Sequence, residues 1–214
     1  MLVAVPLFDR FTALDAVGPY EVLSRLPDTE VVFVGLDSGP VRTEGGGLGL
    51  VADATLEQVR RPDVVVVPGG PGQSEHMSEG PLHRWLRAVD ETTVRTTAVC
   101  TGSLILAAAG VLAGRTATSH WLALDQLSTL DVTPSGERVV VDGKYVTAAG
   151  VSSGIDMALV LAGELVGEQT AQRVQLGIEY DPRPPYDAGA PDKAPAEIVA
   201  ALRERSRFPR NRAV

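Results

Sequence analysis

Short apolar runs alternate with longer segments of helical period along this 214-residue chain. Residues 2–8, LVAVPLF, are apolar throughout and predict a buried strand. Residues 12–26 follow the helical period, with Thr12 and Asp15 spaced as a capping box. A second strand is predicted over 30–36 and a short helix over 55–61, ended by Pro62. Residues 63–68, DVVVVP, read as a buried strand stopped by the turn Gly69-Gly70-Pro71-Gly72. A helix over 81–90 follows. The β-prone run Thr96-Thr97-Ala98-Val99 then ends at Cys100, and an apolar helical run, 104–109, is stopped by Gly110. A short strand is predicted over 116–120. Segments 138–141 and 144–147 flank Asp142-Gly143, a hairpin signal. Helices are predicted over 152–166, where Ser153 and Asp156 form a second capping-box pattern, and over 169–180. Residues 181–195 contain five prolines and predict irregular chain, before an amphipathic helix over 193–205.

Strands that alternate with helices, and are apolar along their length, imply an α/β three-layer sandwich. A mainly parallel central sheet carries helices on both faces, as in flavodoxin-like folds. No repeat, low-complexity stretch or linker divides the chain, so residues 1–214 read as a single domain. Ligands of such sheets bind beyond the carboxyl ends of the strands. Cys100, the turn 69–72 and residues 148–154 all fall at such ends.

Composition narrows the function. Apolar residues make up 44%, enough for a sizeable core, and the formal charge is −8. That balance argues against nucleic-acid and anionic-membrane partners, which need a basic footprint. The local exception is the tail 204–212, with Arg205, Arg207, Arg210 and Arg212, read as an exposed, frayed terminus. One cysteine excludes an internal disulfide and a cysteine-rich zinc site. The start, MLVAVPLF, is too short and uncharged for a signal peptide, and no apolar run reaches transmembrane length. The expectation is a soluble cytoplasmic protein.

Cys100 is where chemistry is sought first. A sharp strand-to-helix turn, a nucleophile elbow, presents one side chain at the top of a sheet, and a helix N-terminus favours the thiolate. A small buried hydrophobe is the equal alternative, as most free cysteines are. Of three histidines, His83 reads as a surface residue of its helix and His76 has no clear role. His120 reads as structural or pocket-lining rather than as a base. Asp15 is either a helix cap or a partly desolvated acid facing Cys100. Glu21, six positions on, cannot share its face as well. Thr101 offers a hydroxyl beside the cysteine, or ordinary helix-start chemistry. Backbone N–H groups near Gly70 and Thr101 could form an anion hole, or the glycines a plain turn. A helix terminus is worth about 0.3–1 kcal/mol, well under one pKa unit. An ionised Asp15 would raise the thiol pKa further. The consistent arrangement is one proton shared by Asp15 and Cys100, titrating as a unit.

The turn PGGPG, the elbow AVCTGSLILAAAGVLAGR, the following ATSHW and the segment AAGVSSGIDMAL together resemble the class I glutamine amidotransferase-like superfamily. PfpI-type proteases and Parkinson-disease-associated deglycase-like proteins belong to it. LDAVGPYEVL and the proline-rich stretch 172–195 are most similar to its isonitrile-hydrating branch, whose enzymes carry aspartate and threonine where Asp15 and Thr101 stand. PfpI-type proteases have histidine after the nucleophile, deglycase-like proteins glutamate at the acid, and amidotransferases a His-x-Glu element; none of these is present. The resemblance implies a cysteine enzyme that converts a small-molecule isonitrile into an N-substituted formamide. Cys100, Asp15 and Thr101 would be catalytic, and Gly69, Gly70, His120, Trp121, Gly150 and Val151 would bind substrate. Trp121, Val151 and Ile155 are equally readable as core. It implies a homodimer and calls for no metal or organic cofactor. The segment 181–195 could wrap a partner subunit, close over the site, or merely connect. Alternatives are a redox or carbonyl-stress protein using the same cysteine, a small-molecule-binding domain without turnover, and an amidase or peptidase.

Overall fold

The computed structural model describes residues 1–208. The apolar runs build the sheet. Strands β1 (Leu2–Pro6), β2 (Glu30–Gly35), the hairpin β3 (Gly39–Arg42) and β4 (Gly49–Ala52), β5 (Ala54–Thr55), β6 (Val64–Val67) and β7 (Arg95–Val99) occupy the first half. Strands β8 (Thr116–Ala117), β9 (Thr133–Pro134), β10 (Val139–Asp142) and β11 (Tyr145–Ala148) follow. The seven-stranded sheet runs β10-β11-β7-β6-β1-β2-β5. Only its edge pair, β10 with β11, is antiparallel. β6, four valines, is wholly buried, as a strand covered on both faces must be.

The helices are α1 (Ala13–Leu23), α2 (Pro81–Asp90), α3 (Gly102–Ala108), α4 (Ser153–Val166), α5 (Glu168–Gly177) and α6 (Ala196–Glu204). α1 packs on α4 and α4 on α5, while α2 packs on α3, so the sheet lies between two helical layers. The chain leaves β1 through α1 to reach β2 on one side, and later places β6 on the other. The order of the sheet therefore reverses between β1 and β6. The crevice beyond that point is where this architecture binds ligands.

Several local expectations give way to tertiary contacts. Residues 55–61 form no helix: Ala54–Thr55 adds the edge strand β5, and Leu56 N–H bonds Gly35 C=O. Residues 116–120 supply only β8, paired with β9 outside the main sheet. The β10–β11 turn is Gly143-Lys144, because Asp142 pairs with Tyr145. His83 is buried, with its Nε2 2.9 Å from the carbonyl oxygen of His76. Both capping boxes are absent. Thr12 donates its hydroxyl to Glu44, Ser153 to Gly150 C=O, and Asp156 pairs with Arg138. Residues 181–195 contain no helix or strand. Of the basic tail, Arg210 and Arg212 lie outside the described residues.

Candidate functional site

Cys100 closes β7 at φ 59°, in the left-handed region. A non-glycine residue held there costs about 1–3 kcal/mol, and its neighbours hold it in place. Its N–H donates to the carbonyls of Ala148 and Ala149, each at 3.0 Å. Its own carbonyl accepts the hydroxyls of Ser103 (3.0 Å) and Ser119 (3.1 Å). Gly102 then lets α3 start hard against β6: a Cβ there would stand 2.1 Å from Val67 O. The backbone is thus an elbow, yet Cys100 is only 5% exposed.

Asp15 faces the elbow from α1. The buried positions of that helix are 15, 16, 18, 19, 22 and 23, a stripe of helical period with the carboxylate inside it. Gly69 N–H donates to Asp15 Oδ2 at 2.9 Å. Oδ1 is buried and makes no aligned hydrogen bond among the described residues. Burial, above all, raises the carboxyl to about 7; Gly69 N–H and the neighbouring Cys100 thiol oppose the rise. Burial and then the Asp15 charge push the thiol well above its ordinary value, against the pull of Thr101 N–H. Burial disfavours ionisation of both groups, and an ionised Asp15 further disfavours the thiolate, so at least one proton stays on the pair near neutral pH.

The glycine turn joins these parts. Gly70 N–H donates to Thr101 Oγ1 at 2.9 Å, and Thr12 N–H donates to Gly69 C=O at 2.9 Å. A Cβ on Gly69 would lie 2.5 Å from Thr101 N and 3.0 Å from Asp15 Oδ2. The expected anion hole is therefore revised. Gly70 N–H is engaged by Thr101 and Gly69 N–H by Asp15, which leaves Thr101 N–H as the backbone donor acting on the sulfur.

The remaining predicted residues divide. The His120 ring packs on Gly150, where a Cβ would meet it at 2.3 Å. His120 Nδ1 accepts from Leu122 N–H at 3.3 Å, so the ring proton sits on Nε2. Burial first, then the Arg207 cation, holds His120 below its usual pKa. Trp121 and Gly150 line a cavity of about 570 Å³ together with Leu122, Leu124, Arg138 and Phe208. Cys100 is not in its wall, but Ser119 and Ala149 are, and both bond the Cys100 backbone. Val151 and Ile155 pack against the core. Glu21 pairs with Arg25 at the surface. No group of three or more His, Cys, Asp or Glu among the described residues is arranged to hold a metal ion.

Two contributors escape sequence reasoning. Ser119 sits in the ATSHW motif but carries no local signature of its bond to Cys100 C=O. Arg207, read as frayed tail, instead lies over the glycine turn, bonded to Gly70, Pro71 and Gln73.

The DJ-1/PfpI family profile matches residues 1–164. The chain belongs to the DJ-1/PfpI family. Its relatives include the isonitrile hydratase of Pseudomonas putida, 46% identical over 94% of this chain and 87% of that one. The HTH-type transcriptional regulator CdhR of Pseudomonas aeruginosa is 32% identical over 79% of this chain but only 51% of its own length. Among solved structures, a ThiJ/PfpI family protein from Pseudomonas syringae superposes with a TM-score of 0.92. It is 35% identical and matched over 95% of this chain and 84% of that one. As a DJ-1/PfpI protein the chain has the expected α/β three-layer architecture.

Proposed function

We propose that this protein hydrates isonitriles, R–NC, to N-substituted formamides, with Cys100 as nucleophile and Asp15 as the proton carrier. The observation that carries the reading is a buried thiol beside a buried carboxyl. One carboxyl oxygen is fixed by Gly69 and the other is unsatisfied. The 46% identity to an isonitrile hydratase supports the same substrate class.

The shared proton gives a balanced route. The Cys100 sulfur forms a bond to the terminal isonitrile carbon, and the Asp15 proton moves to that carbon, giving a thioimidate, Cys–S–CH=N–R. Asp15, now a carboxylate, takes a proton from water as the hydroxide oxygen bonds the same carbon, and returns it to nitrogen. The tetrahedral adduct then expels the thiolate, and its hydroxyl proton returns to Asp15. The net change is one water added. A carboxyl near pKa 7 suits both donation and acceptance at neutral pH. Thr101 positions the turn that holds Asp15. Gly69, Gly70, His120 and Gly150 frame the reacting end, and the Trp121 cavity takes the R group.

The test is formamide production from cyclohexyl isocyanide by wild type, Cys100→Ala and Asp15→Asn. Wild type is expected to turn over, Cys100→Ala to be inactive, and Asp15→Asn to lose at least about a hundredfold. Folded wild-type protein with a reduced thiol and no formamide product would overturn the reading. The same reading extends to a homodimer in the cytoplasm, where the lone thiol stays reduced. It is supported by the apolar residues Leu36, Leu48 and Val51, about half exposed around the β3–β4 hairpin. No described helix is long and apolar enough to cross a membrane.

A further inference from the structure

We infer that Arg207, carried in by the C-terminal arm, is a positioning residue for the Cys100 site: it clamps the glycine turn and brings a cation to the turn beside the cysteine. The inference rests on the proposed chemistry only for its effect on turnover.

The arm is tied down from the last turn of its helix onward. α6 buries no residue. Its anchors are Arg203, whose guanidinium lies 5.5 Å over the Trp121 ring, Arg207 itself, and Phe208, which packs against the core. Arg207 spends its donors on a single segment. Nη1 donates to Pro71 C=O, and Nη2 donates to Gly70 C=O at 3.0 Å and to Gln73 Oε1 at 3.2 Å. Three acceptors from one turn, met by one planar guanidinium, fix the orientation of that turn as one ammonium cannot.

The turn so clamped is the one whose N–H groups hold the site. Gly69 N–H holds Asp15 Oδ2 and Gly70 N–H holds Thr101 Oγ1. Arg207 grips the chain immediately beyond, on the Gly70 and Pro71 carbonyls. Only glycine fits that turn, since Gly70 sits at φ 130°, where a Cβ would meet Thr12 N at 2.5 Å.

The second consequence is electrostatic. Arg207 is close enough to Cys100 for the thiolate to favour its charge. The other charged groups acting on Arg207 are Arg10, which opposes it, and Glu44, which supports it; His120 feels its cation. Asp15 works against the thiolate. Arg207 is thus a cation that offsets the burial and the carboxylate which both push the thiol up. In the proposed reaction that offset matters whenever sulfur carries negative charge, at attack and at departure.

The test uses the full chain with Arg207→Gln and Arg207→Lys. Cys100 is the only cysteine, so the pH dependence of its alkylation by iodoacetamide reports this thiol alone. Arg207→Gln is expected to raise the alkylation midpoint by about half a unit or more. It should lower kcat for cyclohexyl isocyanide about tenfold while KM stays within about threefold. Arg207→Lys, which keeps the charge and loses the fork, is expected to restore most of the midpoint and only part of kcat. Far-UV circular dichroism and melting curves confirm that the variants fold. An unmoved midpoint in folded Arg207→Gln overturns the inference, whatever happens to the rate. The alkylation arm needs no isonitrile, so this failure is separable from failure of the proposed reaction.

Discussion

At the scale of single residues, Asp15 combines its proposed role with a cost to the fold. Its carboxyl titrates near 7 in the folded protein, against 3.8 as its ordinary value. The folded state therefore holds that proton more tightly than the unfolded chain does. Its contribution to stability is fully present below about pH 4 and is lost as pH rises through 7. A shift of about three units corresponds to about 4 kcal/mol across that window. Asp15→Asn, whose amide never ionises, is expected to melt increasingly above wild type as pH goes from 4 to 8. Thermal melts of both proteins across that range check it. A constant gap between the curves would mean that the carboxyl does not titrate there. Asp15 was legible as a candidate from its place in the apolar stripe of α1, but capping was equally legible. What separates the two readings is Gly69, 54 positions away, whose N–H takes the carboxylate oxygen.

At the scale of elements, the site depends on helices that press its parts together. α4 packs on α1, the helix that carries Asp15, and Leu161 is fully buried in that layer. Leu161→Ala removes a buried side chain and leaves a cavity, so a loss of about 2–5 kcal/mol is expected. Urea unfolding measures it; a loss under about 1 kcal/mol would show that the layer collapses to fill the space. The long apolar runs were readable because burial on both faces leaves no alternative to a strand, as in the four valines of β6. The segment 55–61 departs from its helical spacing because a sheet edge competes for it. Leu56 and Val59 are buried there, Leu56 N–H bonds Gly35, and Trp85 Nε1 donates to Val59 C=O. Neither capping box forms: Thr12 turns its hydroxyl to Glu44, Ser153 turns its own back to Gly150 C=O, and Asp156 pairs with Arg138.

At the scale of the whole molecule, the apolar residues left half exposed around the β3–β4 hairpin, Leu36, Leu48 and Val51, bear on assembly. Size-exclusion chromatography with light scattering is expected to give twice the chain mass, and a monomer across micromolar concentrations would remove the dimer. The sequence by itself determined the alternation of strands and helices, the buried centre of the sheet, and the elbow at Cys100. Each of these is set by local periodicity, by glycine, and by burial within a dozen residues. Only the tertiary structure decided that Asp15 is buried against Gly69 N–H rather than capping its helix, that Gly70 N–H serves Thr101, and that Arg207 lies over the glycine turn. Those contacts join residues 54, 31 and 137 positions apart. No local pattern encodes them, because they arise where the order of the sheet reverses and several chain segments meet over one crevice.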